Sequence, residues 1–410
     1  MRLVAEALEQ KLNADHSDYQ GPGVECACQQ PARYAGRKAK VFLSVVGPLT
    51  LERAYYHCPA CRHGFCPRDR DWGLEGGSLS PGVIRMVAAV GASVSFAEGS
   101  QLLQELADLE VDPKQVERTA EALGQAIDRD EHLHTEPLSS DDLPPTLYLG
   151  IDGTGVPLRA EEVEGRPGKQ PDGSAKTREV KLCVVWSAES RDEKGRPVRD
   201  AGSLSYSAAI ESAAALETQP ICSEFYQRVV REATRRRLGK AARLAVLGDA
   251  APWIWNLADE LYPDAVQIVD RWHAKEYFSE VGKAVYGPGS ARAHAWIQRR
   301  WDQLDSGRFD CLLRAVARHA HRSEEARKLL LRLKINRHRM DYPRFEREGL
   351  CTSSGVVEAG CKVVIGTRLK RAGMHWSVAG ANAITALRCG RLSGRFQDFW
   401  ERRSELQRAA

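Results

Sequence analysis

At 410 residues, 43% of them hydrophobic and with a net charge of only +4, the chain has length for two or three compact domains and enough apolar content to build cores. Disorder is excluded as an account of the whole. The opening "MRLVAEALEQKLNADHSDYQ" lacks a secretory signal's apolar core, and no apolar run reaches the length of a membrane span. A soluble, cytoplasmic protein without a membrane partner is therefore expected, and its 11 cysteines are expected as free thiols or metal ligands rather than a disulfide framework.

The first region, 1–75, centres on "VECACQQPARYAGRKAKVFLSVVGPLTLERAYYHCPACRHGFC". Two strand-like runs flank Gly47-Pro48 as the turn, with Cys-x-Cys before them and Cys-x-x-Cys after. Paired cysteines across a hairpin build a zinc-ribbon-like segment, so Cys26, Cys28, Cys58 and Cys61 are expected to hold a structural Zn2+. His57, His63 and Cys66 are spares able to replace one of them. Reduced core cysteines that bind nothing are the alternative.

Residues 76–140 turn helical. A helix over Ala97–Ala107, a short turn and a helix capped by Asp112 are compatible with a helix-turn-helix. Lys114, Gln115 and Arg118 would then face a DNA major groove. The acidic, Ser- and Pro-containing stretch 130–145 reads as a linker.

From about 145 the periodicity becomes that of strands. "TLYLGIDGTGVPL" and "REVKLCVVWSAES" flank a Gly/Pro/Lys-rich loop (165–178), and "GSLSYSAAI" is a third strand. A helix over Ala213–Leu238, the apolar run ending in Asp249, a helix from Pro252 and "AVQIVD" ending in Asp270 follow. Three antiparallel strands, a helix and then strand–helix units predict an α/β, ribonuclease H-like domain with a mixed sheet over 145–410. The cationic, strandless stretch at about 275–345 reads as an all-helical insertion.

Asp152 follows an apolar strand and precedes Gly-Thr-Gly. It is either a turn residue at a solvated strand end or a carboxylate that holds something positive. Asp249 occupies a similar place, and in the predicted fold the two strands are neighbours. Two carboxylates in contact need a counter-charge, which Mg2+ with its preference for oxygen ligands supplies. Glu358 in "SSGVVEAGCKVVIGTRLKRAGMHWS" is the third candidate acid; the bland alternative is a surface ion pair with Lys362 one helical turn on. Cationic runs at 231–243, 295–301, 332–339 and 368–373 make a phosphate-backbone partner plausible.

Taken together, "GIDGTGVP", "LGDAAPWIWN" with "QIVDRWHAKEY", and "SSGVVEAGCKVVIGTRLKRAGMHWS" resemble the DDE transposases of bacterial insertion sequences. The likeness is closest to the ISKra-type group, related to the Mutator-like superfamily, and the cysteine segment fits that group's N-terminal region. This resemblance implies Asp152, Asp249 and Glu358 as the catalytic triad holding two Mg2+ ions (Mn2+ possible). It places Asp270 and His273 beside the site, in contacting DNA or steadying the second aspartate. A capping aspartate with an ordinary histidine is the other reading of that pair. Arg368, Lys370 and Arg371 are implied as DNA-contacting or supporting. Implied partners are terminal inverted repeats, target DNA and a second copy of the chain, at the nucleoid. The implied activity is DNA cleavage and strand transfer; hydrolysis without transfer, or DNA binding without catalysis, are the competitors.

Overall fold

The computed structural model describes residues 2–137, 143–168, 170–213, 223–353 and 355–409, with Arg2 and 404–409 described by backbone alone. The chain forms two compact units, Met1–Ile127 with Gly394–Ala410, and Asp128–Ser393. No helix of the described residues is long and apolar enough to cross a membrane.

In the first unit α1 (Arg2–Ala14) lays Ala5, Leu8 and Leu12 against Phe42, Leu49 and Leu51. These last three belong to a four-stranded antiparallel sheet of β1 (Gly23–Glu25), β2 (Pro31–Ser44), β3 (Gly47–His57) and β4 (Gly64–Phe65). The hairpin turns at Val45-Val46, two residues before the expected Gly47-Pro48. Ser44 pairs with Gly47 and Pro48 already pairs with Leu43. Gly47 has φ +112°, a conformation only glycine adopts freely, and proline is tolerated at a strand's start. Buried Asp18 ties the sheet together, accepting from Arg37 at 3.0 Å and from the Ala54 N–H at 2.7 Å.

After α2 (Pro67–Asp71), α3 (Pro81–Ser93) and α4 (Phe96–Ala107) start at serine caps, Ser80 and Ser95, which accept backbone N–H groups. Asp112 likewise accepts from the Lys114 N–H at 2.8 Å and opens α5 (Pro113–Leu133). Val83, Val87, Leu103, Leu109 and Val116 form the shared core. Lys114 pairs with Glu117, and Gln115 donates to Ser78, so two of the three side chains expected in a groove have partners here.

The second unit is built on a five-stranded mixed sheet. Its strands are β5 (Thr146–Pro157), β6 (Thr177–Ser187), β9 (Ser205–Ala209), β10 (Arg243–Gly248) and β11 (Val266–Val269), and a small ribbon of β7 (Ser190–Arg191) and β8 (Pro197–Val198) lies apart. The order is β11-β10-β5-β6-β9. The β5–β6 and β6–β9 pairs are antiparallel; β10 runs parallel to both β5 and β11. Helices α6 (Glu224–Arg235) and α7 (Pro252–Leu261) make the crossovers. The helix expected from Ala213 is observed only from Glu224, because 214–222 lie outside the described residues, as do 138–142 of the expected linker.

Between Arg271 and Arg347 the chain is helical, with α8 (Arg271–Tyr286), α9 (Ala291–Asp305), α10 (Phe309–Ala317), α11 (Glu324–Ile335) and α12 (Tyr342–Arg347). It then returns to the sheet through α13 (Gly355–Gly360), a π-helical turn (Cys361–Gly366), α14 (Thr367–Leu369) and α15 (Val378–Leu392); α16 (Phe396–Ala409) belongs to the first unit.

Candidate functional sites

The four cysteines converge. Their sulfurs all lie within 4.8 Å of one another, with Cys26–Cys61 and Cys28–Cys58 both at 3.6 Å. Sulfurs about 2.3 Å from a tetrahedral zinc sit roughly 3.8 Å apart, so the donor set fits a structural zinc ion. Both knuckles turn through a non-glycine residue at positive φ, Gln29 (62°) and Arg62 (60°). The first knuckle closes by Gln29 N–H to Cys26 O, the second by Cys58 N–H to His63 O, each 2.8 Å. That tight first turn is how the short Cys-x-Cys spacing still delivers both thiols. The Cys61 N–H and neighbouring thiols pull Cys58 down to about 7, readying it as a thiolate. The spares stand aside: His63 stacks on Phe65 and Cys66 begins α2.

In the second unit, β5 does not stop at Asp152. It runs on to Pro157, with Asp152 opposite Leu182 of β6, so the turn reading of Asp152 is replaced by a mid-strand one. The neighbouring β10 is shorter and pairs Leu247 with Gly150. Carrying that register forward by two residues sets Asp249 level with Asp152. On the other side Gly248 pairs with Val269, and the Asp270 N–H donates to Gly248 O at 2.8 Å. Three aspartates thus occupy one rung across β5, β10 and β11, at the carboxyl ends of two of the strands.

Each aspartate is held differently. Burial pushes the Asp152 carboxyl up from its ordinary value, as does the charge of Asp249; the Gly153 N–H, the Cys361 thiol and His273 act the other way. Cys361 donates to Asp152 at 3.4 Å, and burial keeps it a thiol. Asp249 accepts the Ala251 N–H at 2.7 Å. Buried Asp270 caps α8 through the His273 N–H at 2.7 Å, with the His273 Nδ1 at 3.4 Å, as the capping reading of the pair expected.

Glu358 reaches this neighbourhood on α13, and two glycines decide how close that helix comes. A Cβ on Gly150 would lie 2.2 Å from Val357, and one on Gly360 would lie 2.9 Å from Leu182. Strand and helix therefore approach through missing side chains. The π-helical turn that follows displaces carbonyls from their usual partners; the buried Arg388 guanidinium accepts that role, donating to Val364 O at 2.6 Å and to Val363 O. Glu358 itself pairs with Lys362 at 2.7 Å, both side chains exposed (57% and 73%), as the bland reading expected. Its pKa is lowered first by that lysine and also by His273. Asp152, Asp249 and Glu358 do not gather within 4.8 Å as the cysteines do.

The basic segment divides. Arg368 is fully buried, its guanidinium over the Trp376 ring at 4.9 Å, so it supports the fold and is not available to touch DNA. Lys370 donates to Thr154 on β5, and Arg371 is exposed. Sequence reasoning passed over two residues. Trp272 is 59% exposed beside His273, and Cys361 touches Asp152; the Trp-His and Glu-x-x-Cys pairings were the available signals.

No family model and no curated protein matches the chain. Among solved structures it is similar to the Drosophila P element transposase strand transfer complex, at 9% identity and a TM-score of 0.28 over 82% of this chain and 84% of that one. A likeness that low carries no argument about fold or chemistry. Function has to be argued from the residues.

Proposed function

We propose that the chain is a DDE-type transposase of a bacterial insertion sequence, with a ribonuclease H-like catalytic domain in the second unit. The observation that carries this reading is the shared rung: Asp152 and Asp249 level at neighbouring parallel strands, with Asp152 raised by burial and by Asp249. Acids pressed together in a partly buried place are destabilising unless a cation neutralises them. The strand order, with β6 antiparallel to both of its neighbours β5 and β9, and β10 and β11 parallel to β5, supports the ribonuclease H-like assignment, and the helices from Arg271 to Arg347 support the insertion.

On this reading Asp152, Asp249 and Glu358 would hold two Mg2+ ions. Such ions would activate the attacking oxygen and stabilise the leaving one in phosphodiester cleavage and strand transfer. The chain's own residues do the positioning. Asp270 fixes the start of α8 and hence His273, Cys361 orients the Asp152 carboxylate, and Lys370 and Arg371 offer charge to the DNA backbone. The zinc-ribbon-like sheet and α3–α5 would bind terminal inverted repeats, and joining two ends to target DNA calls for at least a dimer.

The test is incubation with DNA carrying the element's own ends and Mg2+. Wild type should nick at the ends and join pre-cut 3′-hydroxyl ends to a plasmid, while Asp249→Ala binds the same DNA and does neither. Equal cleavage by both proteins overturns the assignment. Cleavage without joining would move it to a nuclease.

A further inference from the structure

A cavity of about 610 Å³ opens in the helical segment between α9, α10 and the end of α8, away from the acidic rung. Its lining contains no carboxylate, yet Arg299, Arg300, Arg314 and Arg318 all contribute. Among the described residues none of the four is ion-paired; Arg314 meets only the Cys311 sulfur, at 3.6 Å. Four like charges around one space repel, and burial together with Arg299 and Arg318 weakens the hold of Arg300 on its proton.

Two of the lining side chains are buried without satisfaction. Arg300 (7% exposed) and Gln303 (8%) line the cavity, and the Arg300 Nε and Gln303 Oε1 find no hydrogen-bond partner. Leaving a buried donor or acceptor unpaired costs stability, and more so for a charged group. An arrangement that costs stability in two adjacent residues is explained by a ligand that supplies the missing partners: an acceptor for the arginine and a donor for the glutamine.

The remaining wall is aromatic. Arg300 lies over the Trp296 ring at 5.4 Å, and Tyr286, Trp296 and His319 contact one another with ring centroids 5.5–6.3 Å apart. Burial and the charges of neighbouring arginines, Arg322 first among them, lower the His319 pKa and favour its neutral ring. The Arg322 guanidinium can only donate and sits 2.9 Å from His319 Nδ1, so Nε2 carries the hydrogen and donates to the Tyr286 oxygen at 3.1 Å. That bond locks both rings in place.

We infer that this cavity is a nucleotide-binding site, in which arginines take a phosphate and the aromatic wall takes the base. Guanidinium forks match phosphate oxygens two at a time, and the flat rings of bases stack favourably on aromatic side chains. The cavity's size lies within the roughly 300–1,000 Å³ usual for small-molecule sites. Gln303 Oε1 accepts from a base's exocyclic amine or ring N–H. Either a free 5′-nucleotide or one nucleotide of a single DNA strand has this chemistry. The site uses no residue of the acidic rung, so its failure and that of the transposase reading are separate results.

Calorimetric titration of the full chain tests it, with AMP, ATP, adenosine, inorganic phosphate and a 5′-phosphorylated single-stranded decanucleotide as probes. A nucleotide probe should bind at least about tenfold more tightly than phosphate or adenosine alone, a difference of about 1.4 kcal/mol. Arg300→Met should weaken it by a further tenfold or so, while the melting temperature without ligand stays level or rises. Arg314→Ala at the exposed rim is the second variant, expected to weaken binding with no change in melting. Binding of AMP or ATP identifies a free nucleotide as the source; binding of the decanucleotide alone identifies a DNA strand. The inference is overturned if no probe binds, if phosphate binds as tightly as the nucleotides, or if both variants bind as wild type does.

Discussion

Gly150→Ala tests the packing of α13, the helix that bears Glu358, against β5. The added methyl would lie 2.2 Å from Val357 Cγ2, 2.8 Å from the Trp186 ring and 3.0 Å from Val184 Cγ1. Trp186 and Val184 are fully buried in the sheet and Trp186 stacks on Tyr148, so they cannot give way. Of these neighbours only α13 can move, by about 1.3 Å or more to bring Val357 back to the ordinary contact of about 3.5 Å. Overpacking of this kind costs about 1–3 kcal/mol. For a unit of this size that lowers the melting temperature by roughly 2–4 °C per kcal/mol. Displacing a positioned acid by about 1 Å costs on the order of a hundredfold in turnover. Gly153→Ala is the control: its methyl would meet only the Glu179 side-chain end, at 2.5 Å, which can swing away, so the loss should stay within about 0.5 kcal/mol. Differential scanning calorimetry and the end-nicking assay read both variants. If Gly150→Ala melted and turned over like Gly153→Ala, α13 would not be seated as described and the placement of Glu358 would fall with it.

Purified chain should contain one zinc by elemental mass spectrometry, and Cys58→Ser or a strong chelator should remove it and unfold the hairpin, since metal held by four thiolates contributes about 10–16 kcal/mol in small zinc domains. Asp200 should make stability fall in acid: burial alone would raise its pKa, but donation from Ser187 and Ser190 and the N–H groups of Glu189 and Ser190 holds it well below the ordinary value. Its stabilisation is therefore complete above about pH 4 and lost as pH falls through the lowered pKa, and Asp200→Asn should melt lower than wild type at pH 7 with the gap closing in acid. Asp152 has the opposite sign, because its raised carboxyl binds more protons folded than unfolded; Asp152→Asn without metal should gain on wild type as pH rises above about 4 in calorimetric scans. Arg371→Ala should weaken DNA binding and reduce the salt slope by about 1 with unchanged melting, whereas Arg368→Ala should lower the melting temperature. Lys362→Ala should leave stability within about 0.5 kcal/mol and lower the half-saturating Mg2+ concentration by at most about fivefold.

Local patterns made much of this architecture readable. Apolar runs ending in an aspartate marked β5 and β10, an aspartate cap marked α5, and the cysteine spacing located all four converging thiols. Misreadings came where a backbone detail depended on distant partners. Asp152 looked like a strand end because Gly-Thr-Gly follows it, yet β6 pairs with that stretch through Thr177 and keeps it extended. Arg368 looked like a surface cation in a basic run, but it is fully buried with its guanidinium over the Trp376 ring. Trp272, two residues past the α8 cap Asp270, stands exposed with no local signal that foretells it. Neither the helix docking at Gly150 and Gly360 nor the rescue of the π-turn by Arg388 carries a local signature, since each joins segments far apart in the chain.

The ion pair of Glu358 with Lys362 does not compete seriously with the proposed role. Both partners are exposed, and pairs of that kind contribute about 0–1 kcal/mol because water and salt screen them. The pull from the other side is of a different size. Asp152 is partly buried beside Asp249, its carboxyl raised by both effects, and a divalent cation settling there relieves repulsion in a less screened place. A third carboxylate that arrives on a helix interrupted by a π turn can exchange a lysine for such an ion at little cost. On the proposed reading, Asp152 and Asp249 level on one rung, with Glu358 held only by an exposed lysine, form an arrangement that a bound divalent cation would complete.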